Sequence, residues 1–145
     1  MSNKTSGNRF EEEFAKFLFN HGFWCHVMQQ KKEGQPADII AVYKSYHVLI
    51  DCKEVSTKRG FALSRVEENQ RNAMHMFERR GGHIGWFAVK YPDGTVRMIS
   101  LQSIELLAMQ GVKAITETMA EKLFTADGWM EEVKKVWGDK PYIQQ

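Results

Sequence analysis

The chain has 145 residues, of which 43% are hydrophobic and 26% charged, and its net charge is +2. This length supports one hydrophobic core, and the composition is globular rather than disordered or fibrous. No apolar run reaches the roughly 18 residues of a membrane span, and the N-terminal stretch MSNKTSGNRF lacks the apolar segment of a signal peptide. We therefore expect one domain over residues 1–145, located in the cytoplasm without membrane contact.

The N-terminal region predicts an amphipathic helix that ends near Gly22. Two glutamates, Glu11 and Glu13, flank its apolar face on opposite edges, whereas Glu12 points away from that face. A carboxylate on such an edge can reach the rim of the surface on which the helix packs. The apolar face consists of residues spaced i, i+4, i+7 and i+8: Phe10, Phe14, Phe17 and Leu18.

Three strands are predicted next, at residues 23–28, 38–43 and 47–53, because these segments are rich in β-branched and aromatic residues. The polar loop QQKKEGQP separates the first strand from the second. The turn KSY joins the second to the third and is too short for a parallel crossover. We therefore expect these two strands to form an antiparallel hairpin.

The second half of the chain alternates between helices and one clear hairpin. A second helix is predicted to begin with Ser64 as its N-cap, since Glu67 three residues later would complete a capping box. Two β-rich runs around the turn PDG predict a further hairpin. Residues 101–110 are predicted to form a short helix that begins near Ser103, and residues 112–145 are predicted to be mostly helical.

This order of elements predicts an α/β fold in which helices cover the faces of a mixed β-sheet of about five strands. We expect the core of the domain at about residues 7–110 and a helical C-terminal extension at residues 111–145. The sequence contains no internal repeat and no low-complexity segment.

Two aspartates and a lysine fall at one end of the first predicted hairpin. Strand alternation places Asp51 and Lys53 on one face and Cys52 on the other. Asp38 and Asp51 are nearly equidistant from the turn, so strand pairing should place the two carboxylates side by side. Such carboxylates repel unless positive charge lies between them, and Lys53 or a divalent ion such as Mg²⁺ would supply it. The alternative is a surface salt bridge at a strand end.

Three blocks of sequence, taken in order, resemble the PD-(D/E)XK nuclease superfamily: GNRFEEE, ADIIAVYKSYHVLIDCKE and FALSRVEENQ. The resemblance runs from about Gly7 to Leu101 and is nearest to the RecU-type Holliday junction resolvases, with archaeal-type resolvases a little further away. It implies a restriction-endonuclease-like sheet and Mg²⁺-dependent cleavage of branched DNA, with Mn²⁺ able to replace Mg²⁺. Symmetric cleavage of a four-way junction needs two active sites, so the resemblance also implies a homodimer.

The resemblance implies site roles residue by residue. Asp38, Asp51 and Glu11 would bind the metal ion, and Lys53 would position or activate the attacking water. Gln70 would help to order the site. The alternative is that Gln70 is an ordinary solvated residue of the second helix. Glu12 or Glu13 would take the place of Glu11 if the helical register is shifted. The implied catalytic residues are Glu11, Asp38, Asp51, Lys53 and Gln70.

One departure from the RecU type concerns substrate choice. RecU-type enzymes carry a long stalk before the motif aspartate, where this chain has only QQKKEGQP. Two alternatives to a junction resolvase therefore remain: a general repair or restriction-type nuclease, and a non-catalytic DNA-binding module. The small size of the chain fits a phage or mobile-element protein. Basic residues near the site would contact DNA phosphates, or form ordinary soluble loops. They are Lys31, Lys32, Lys58 and Arg59.

Overall fold

The computed structural model describes residues 6–29 and 35–138. Within these ranges, no helix is long and apolar enough to cross a lipid bilayer. The helices are α1 (Ser6–Asn20), α2 (Glu68–Arg79), α3 (Leu101–Met109), α4 (Glu117–Ala120) and α5 (Ala126–Trp137). The strands are β1 (Trp24–Val27), β2 (Ile39–Tyr43), β3 (Tyr46–Glu54), β4 (Phe61–Ala62), β5 (Trp86–Lys90), β6 (Val96–Ser100), β7 (Ala114–Ile115) and β8 (Phe124–Thr125).

The main sheet has six strands in the order β1-β2-β3-β5-β6-β8. Only the β3–β5 pair in this sheet is parallel, so the predicted mixed sheet is confirmed, with one strand more than expected. The hairpin of β2 and β3 is also confirmed, and it turns at Lys44, whose φ of 53° supplies the left-handed conformation of a tight hairpin. The strands β4 and β7 form a separate antiparallel pair.

The two faces of the sheet carry separate hydrophobic clusters. Alternate residues of β3 point to opposite faces, with Val48 and Ile50 in one cluster and Leu49 in the other. Helices α1 and α5 cover the first face, where Trp129 is 2% exposed and stacks on Phe23 with ring centroids 6.1 Å apart. Helices α2 and α3 cover the second face. The sheet is therefore buried on both sides through its central strands.

Helix α2 begins later than the sequence predicts. Residues Leu63–Arg65 form a 3₁₀ turn, and the extended, buried Val66 separates that turn from the helix. The N-cap is Glu67, which forms a capping box with Gln70, so Ser64 as N-cap is wrong. Burial of Val66 against the core outweighs the local preference for continuing the helix upstream.

Two further boundaries differ from the predictions. Helix α3 is capped by Ser100 rather than beginning near Ser103, because the Ser100 hydroxyl accepts a hydrogen bond from the Ser103 main-chain N–H at 3.1 Å. The described part of the C-terminal third is less helical than expected, since β7 and β8 interrupt it. Tertiary pairing explains both strands: Ile115 pairs with Phe61, and Phe124 pairs with Met98 in the main sheet.

The burial of Trp129 gives a direct test of this packing. Trp129→Ala should lower the free energy of unfolding by about 3–5 kcal/mol, because truncating a buried tryptophan leaves a cavity. The matched control is Trp24→Ala, since Trp24 is 62% exposed on the edge strand β1 and should change stability by no more than about 0.5 kcal/mol. Urea denaturation of both variants measures the difference, and equal losses would contradict the packing described above.

Candidate active site

Strand pairing brings Asp38 and Asp51 together at the open end of the β2–β3 hairpin. Ile39 pairs with Ile50, and the two aspartates are the next residues beyond that pair. One carboxylate oxygen of Asp38, Oδ2, accepts a hydrogen bond from the main-chain N–H of Cys52 at 2.8 Å. The other, Oδ1, accepts one from Gln35 Nε2 at 2.9 Å. Both aspartates are buried, so these contacts partly replace the lost water.

Asp51 is held by one neighbour on its own strand and one on α2. Lys53 Nζ lies 3.0 Å from Asp51 Oδ2, as their shared strand face predicts, and Asp51 is only 1% exposed. Gln70 Nε2 donates a hydrogen bond to Asp51 Oδ1 at 3.1 Å, while Gln70 Oε1 accepts one from the main-chain N–H of Glu67 at 3.3 Å. Gln70 is thus a buried link between helix and hairpin, and the alternative of a solvated residue is wrong.

Glu11 is the glutamate of α1 that reaches the same place. It is buried and lines a polar cavity of about 300 Å³ together with Asp38, Asp51, Lys53 and Gln70. The two neighbouring glutamates of α1 are exposed, and one of them, Glu13, pairs with Lys90 at 3.5 Å instead. The structure therefore brings together all five predicted catalytic residues and excludes the shifted helical register.

Burial and mutual repulsion perturb the carboxyl groups. Desolvation, followed by the charge of Asp38 and a hydrogen bond with it, raises the pKa of Glu11 to about 7. Desolvation is also the largest cause for Asp51, whose pKa rises to about 7 under the further influence of Asp38, although Lys53 acts in the opposite direction. One ammonium group thus only partly offsets the charge of three carboxylates, and added positive charge would favour their ionised forms.

The donor set of the cavity fits a divalent metal ion. It offers carboxylate oxygens from Glu11, Asp38 and Asp51, the ligand type that hard cations prefer. Asp51 Oδ2 is buried with the Lys53 ammonium 3.0 Å away, and a carboxylate oxygen with one such neighbour has capacity for a further cation. Among the described residues, however, no three acidic, histidine or cysteine side chains already converge as a ligand set. Metal binding would therefore draw the carboxylates together.

Of the four predicted DNA contacts, the two that the structure describes, Lys58 and Arg59, do not line the cavity. Lys58 and Arg59 are exposed in the loop between β3 and β4. Lys31 and Lys32 lie outside the described residues. Sequence reasoning missed four residues that line the cavity: Cys52, whose main-chain N–H binds Asp38, and Gln35, Arg65 and Glu67. Of the last three, the sequence singles out only Glu67, as part of a predicted capping box. Nothing in the sequence distinguishes Gln35 and Arg65 from ordinary loop residues.

A mixed α/β sheet with an acidic cavity and a lysine at the open end of a hairpin is the arrangement of a PD-(D/E)XK nuclease. The sequence profile of the family described as archaeal Holliday junction resolvase (Hjc) matches residues 2–135. The chain belongs to this family. It is therefore an endonuclease of the Holliday junction resolvase class, whose members with this fold depend on a divalent metal ion. Closeness to the RecU type stays a prediction, since the matching profile is the archaeal one.

Comparison with solved structures supports the fold. The chain is similar to Hjc from Archaeoglobus fulgidus, a Holliday junction resolvase from an archaeal hyperthermophile, with a TM-score of 0.64 and 19% sequence identity. The similarity covers 86% of this chain and 97% of the Archaeoglobus chain. A search of curated protein sequences finds no significant match. The restriction-endonuclease-like α/β fold predicted from the sequence is confirmed.

The raised pKa of Asp51 gives a pH-dependent test in the absence of divalent metal. Below its ordinary pKa of 3.8, the carboxyl group is protonated in both the folded and unfolded states. As the pH rises towards 7, the unfolded state loses its proton first, so the free energy of unfolding falls, and it stays low above pH 7. Asp51→Asn should therefore stabilise the metal-free protein at pH 8 by on the order of 1–3 kcal/mol, and by little at pH 4.

Thermal denaturation in EDTA at both pH values measures this effect. The matched control is Glu131→Gln, because Glu131 is exposed on α5 and its neutralisation should change stability by no more than about 0.5 kcal/mol at either pH. A loss of stability in Asp51→Asn at pH 8 would contradict the buried, repelled carboxylate.

Proposed function

We propose that this protein is a Mg²⁺-dependent endonuclease that cleaves four-way DNA junctions, with Mn²⁺ able to replace Mg²⁺. The observation that carries the proposal is the polar cavity whose lining brings together Glu11, Asp38, Asp51 and Lys53. Membership of the archaeal resolvase family supports the junction as the substrate. We also propose that residues 1–145 form one nuclease domain and that this domain acts in the cytoplasm.

The proposal assigns a task to each residue of the cavity that was predicted to be catalytic. When bound, Mg²⁺ would supply Lewis-acid polarisation of the phosphoryl oxygen and would make water more acidic. Asp38, Asp51 and Glu11 would hold the ion, and the hydrogen bond from Gln70 fixes the orientation of the Asp51 carboxylate. The Lys53 ammonium, already 3.0 Å from Asp51, orients the attacking water and offsets the negative charge that develops on the phosphate.

Basic residues around the cavity are proposed to hold the DNA backbone. Lys58 and Arg59 lie in an exposed loop after β3, the strand that carries Asp51, so they can reach phosphates beside the cut. Lys31 and Lys32 precede Asp38 in the sequence and are proposed to act in the same way. Such contacts position the duplex without reading its sequence.

Cleavage of a symmetric junction leads us to propose a C2 homodimer, since two cuts at matched positions need two related active sites. Sedimentation equilibrium should therefore give a mass of twice 16.8 kDa. Addition of an equimolar four-way junction should yield a complex with two chains per junction. A mass of one chain over the concentrations at which the enzyme cuts would contradict the dimer.

Junction cleavage itself is tested with a mobile four-way junction and a linear duplex of matched sequence, each in Mg²⁺ or EDTA. We expect paired symmetric nicks in the junction alone, and only with Mg²⁺. Asp51→Asn, Lys53→Ala and Glu11→Gln should each slow single-turnover cleavage by on the order of 100-fold, because each removes charge from the site of phosphate attack.

The control is Glu13→Gln, two residues from Glu11 on the same helix but outside the cavity, which should cut at the unmodified rate. Equal cutting of both DNAs would favour a general nuclease, and junction binding without cutting would favour a non-catalytic module. Full activity of Asp51→Asn or Lys53→Ala would show that the residue roles are wrong.

A further inference from the structure

Arg65 stands at the active-site cavity without a role in the proposal above. It is the last residue of the 3₁₀ turn before α2, and its side chain lines the cavity that contains Asp51, Lys53 and Gln70. The residue is exposed, in contrast to the buried aspartates. Arg65 therefore belongs to the part of the cavity lining that is open to solvent.

Two contacts hold the Arg65 side chain in this place. Its Nη1 donates a hydrogen bond to the main-chain carbonyl of Glu54 at 2.8 Å. The guanidinium carbon also lies 5.8 Å from the centroid of the Phe61 ring, within the range of a cation–π contact. A guanidinium has five N–H donors, so the bond to Glu54 leaves most of them available. The group is thus oriented before any ligand arrives, which reduces the entropy lost on binding.

Arg65 has no ion-pair partner among the residues that the structure describes. Across residues 6–29 and 35–138, no carboxylate lies within ion-pair distance of its guanidinium. This contrasts with Lys53, whose ammonium is paired with Asp51 at 3.0 Å. The cavity therefore has an acidic interior and an uncompensated arginine at its edge. An anion with several oxygens could contact both a metal ion at the carboxylates and the guanidinium of Arg65.

From this geometry we infer that Arg65 is a substrate-contacting residue that binds a non-bridging oxygen of a DNA phosphate at the cleavage site. The planar guanidinium suits a phosphate because two parallel N–H donors can reach two oxygens at once. The contact fixes the phosphate against the carboxylates and also offsets charge as the phosphorus is attacked. This inference rests on the proposed nuclease function and adds to it the residue that positions the cut strand.

The test combines a protein change with a change in the DNA. Junctions carry one neutral methylphosphonate, placed in turn at each phosphate around the branch point, and their affinities are measured in Ca²⁺. Arg65→Gln should weaken binding of the unmodified junction about 10-fold. At one position, the methylphosphonate should remove this difference, because the charge that Arg65 contacts is then absent. The slope of log Kd against log salt should also fall by about 0.9.

Cleavage rates give the second readout. In Mg²⁺, Arg65→Gln should slow single-turnover cleavage by on the order of 100-fold, whereas Arg65→Lys, which keeps the charge but not the paired donors, should be less impaired. The matched control is Arg97→Gln. Arg97 also donates through Nη1 to a main-chain carbonyl, that of Leu123 at 3.2 Å, but it lies on β6 outside the cavity. It should cut at the unmodified rate, and thermal denaturation confirms that each variant is folded.

The outcomes separate this inference from the proposed function. If the unmodified protein cuts junctions but Arg65→Gln matches Arg97→Gln in rate and affinity, Arg65 does not contact the substrate. The inference also fails if no methylphosphonate position removes the difference in affinity. If the unmodified protein binds but never cuts, the nuclease proposal fails, while the binding measurements still decide whether Arg65 contacts a phosphate.

Discussion

The repulsion between three buried carboxylates around one cavity is the constraint on which the rest of the structure depends. Asp51 is almost completely buried, and its pKa and that of Glu11 are raised to about 7. A cluster of this kind costs folding free energy wherever it is ionised, because charge is removed from water without full compensation. The hydrophobic clusters on both faces of the sheet supply the opposing stabilisation. The core therefore maintains a site that would not persist alone.

The two aspartates are stabilised by groups on β3, on α2 and in the segment that precedes β2. Asp38 receives a main-chain N–H from β3 and the amide of Gln35, whereas Asp51 receives the amide of Gln70 and the ammonium of Lys53. None of these contacts neutralises the cavity, and together they leave net negative charge there. This is the balance that a metal-dependent nuclease needs, because full compensation by the protein would remove the attraction for the cation.

Local rules were sufficient for the hairpin and for the pairing of its two aspartates. The period-two alternation of β3 and the short turn fix which residues face each other, so Asp38, Asp51 and Lys53 could be placed from the sequence. The resemblance to known nucleases was needed to assign Glu11 and Gln70 to the site, because a helical wheel predicts only on which edge or face of a helix a residue lies. Tertiary contacts decided the rest. Burial of Val66 moved the start of α2, and pairing with β6 turned Phe124 into a strand residue.

The double role of Gln70 links the stability of a helix end to the order of the site. One amide group caps α2 through its oxygen and holds Asp51 through its nitrogen. Fraying of the first turn of α2 therefore also releases the carboxylate, so the two events share one local opening free energy. By thermodynamic linkage, a cation that favours the ordered Asp51 must strengthen the helix end by the same amount. The N-terminal turn of α2 would thus contribute to the metal affinity of the site through Gln70, which orients Asp51.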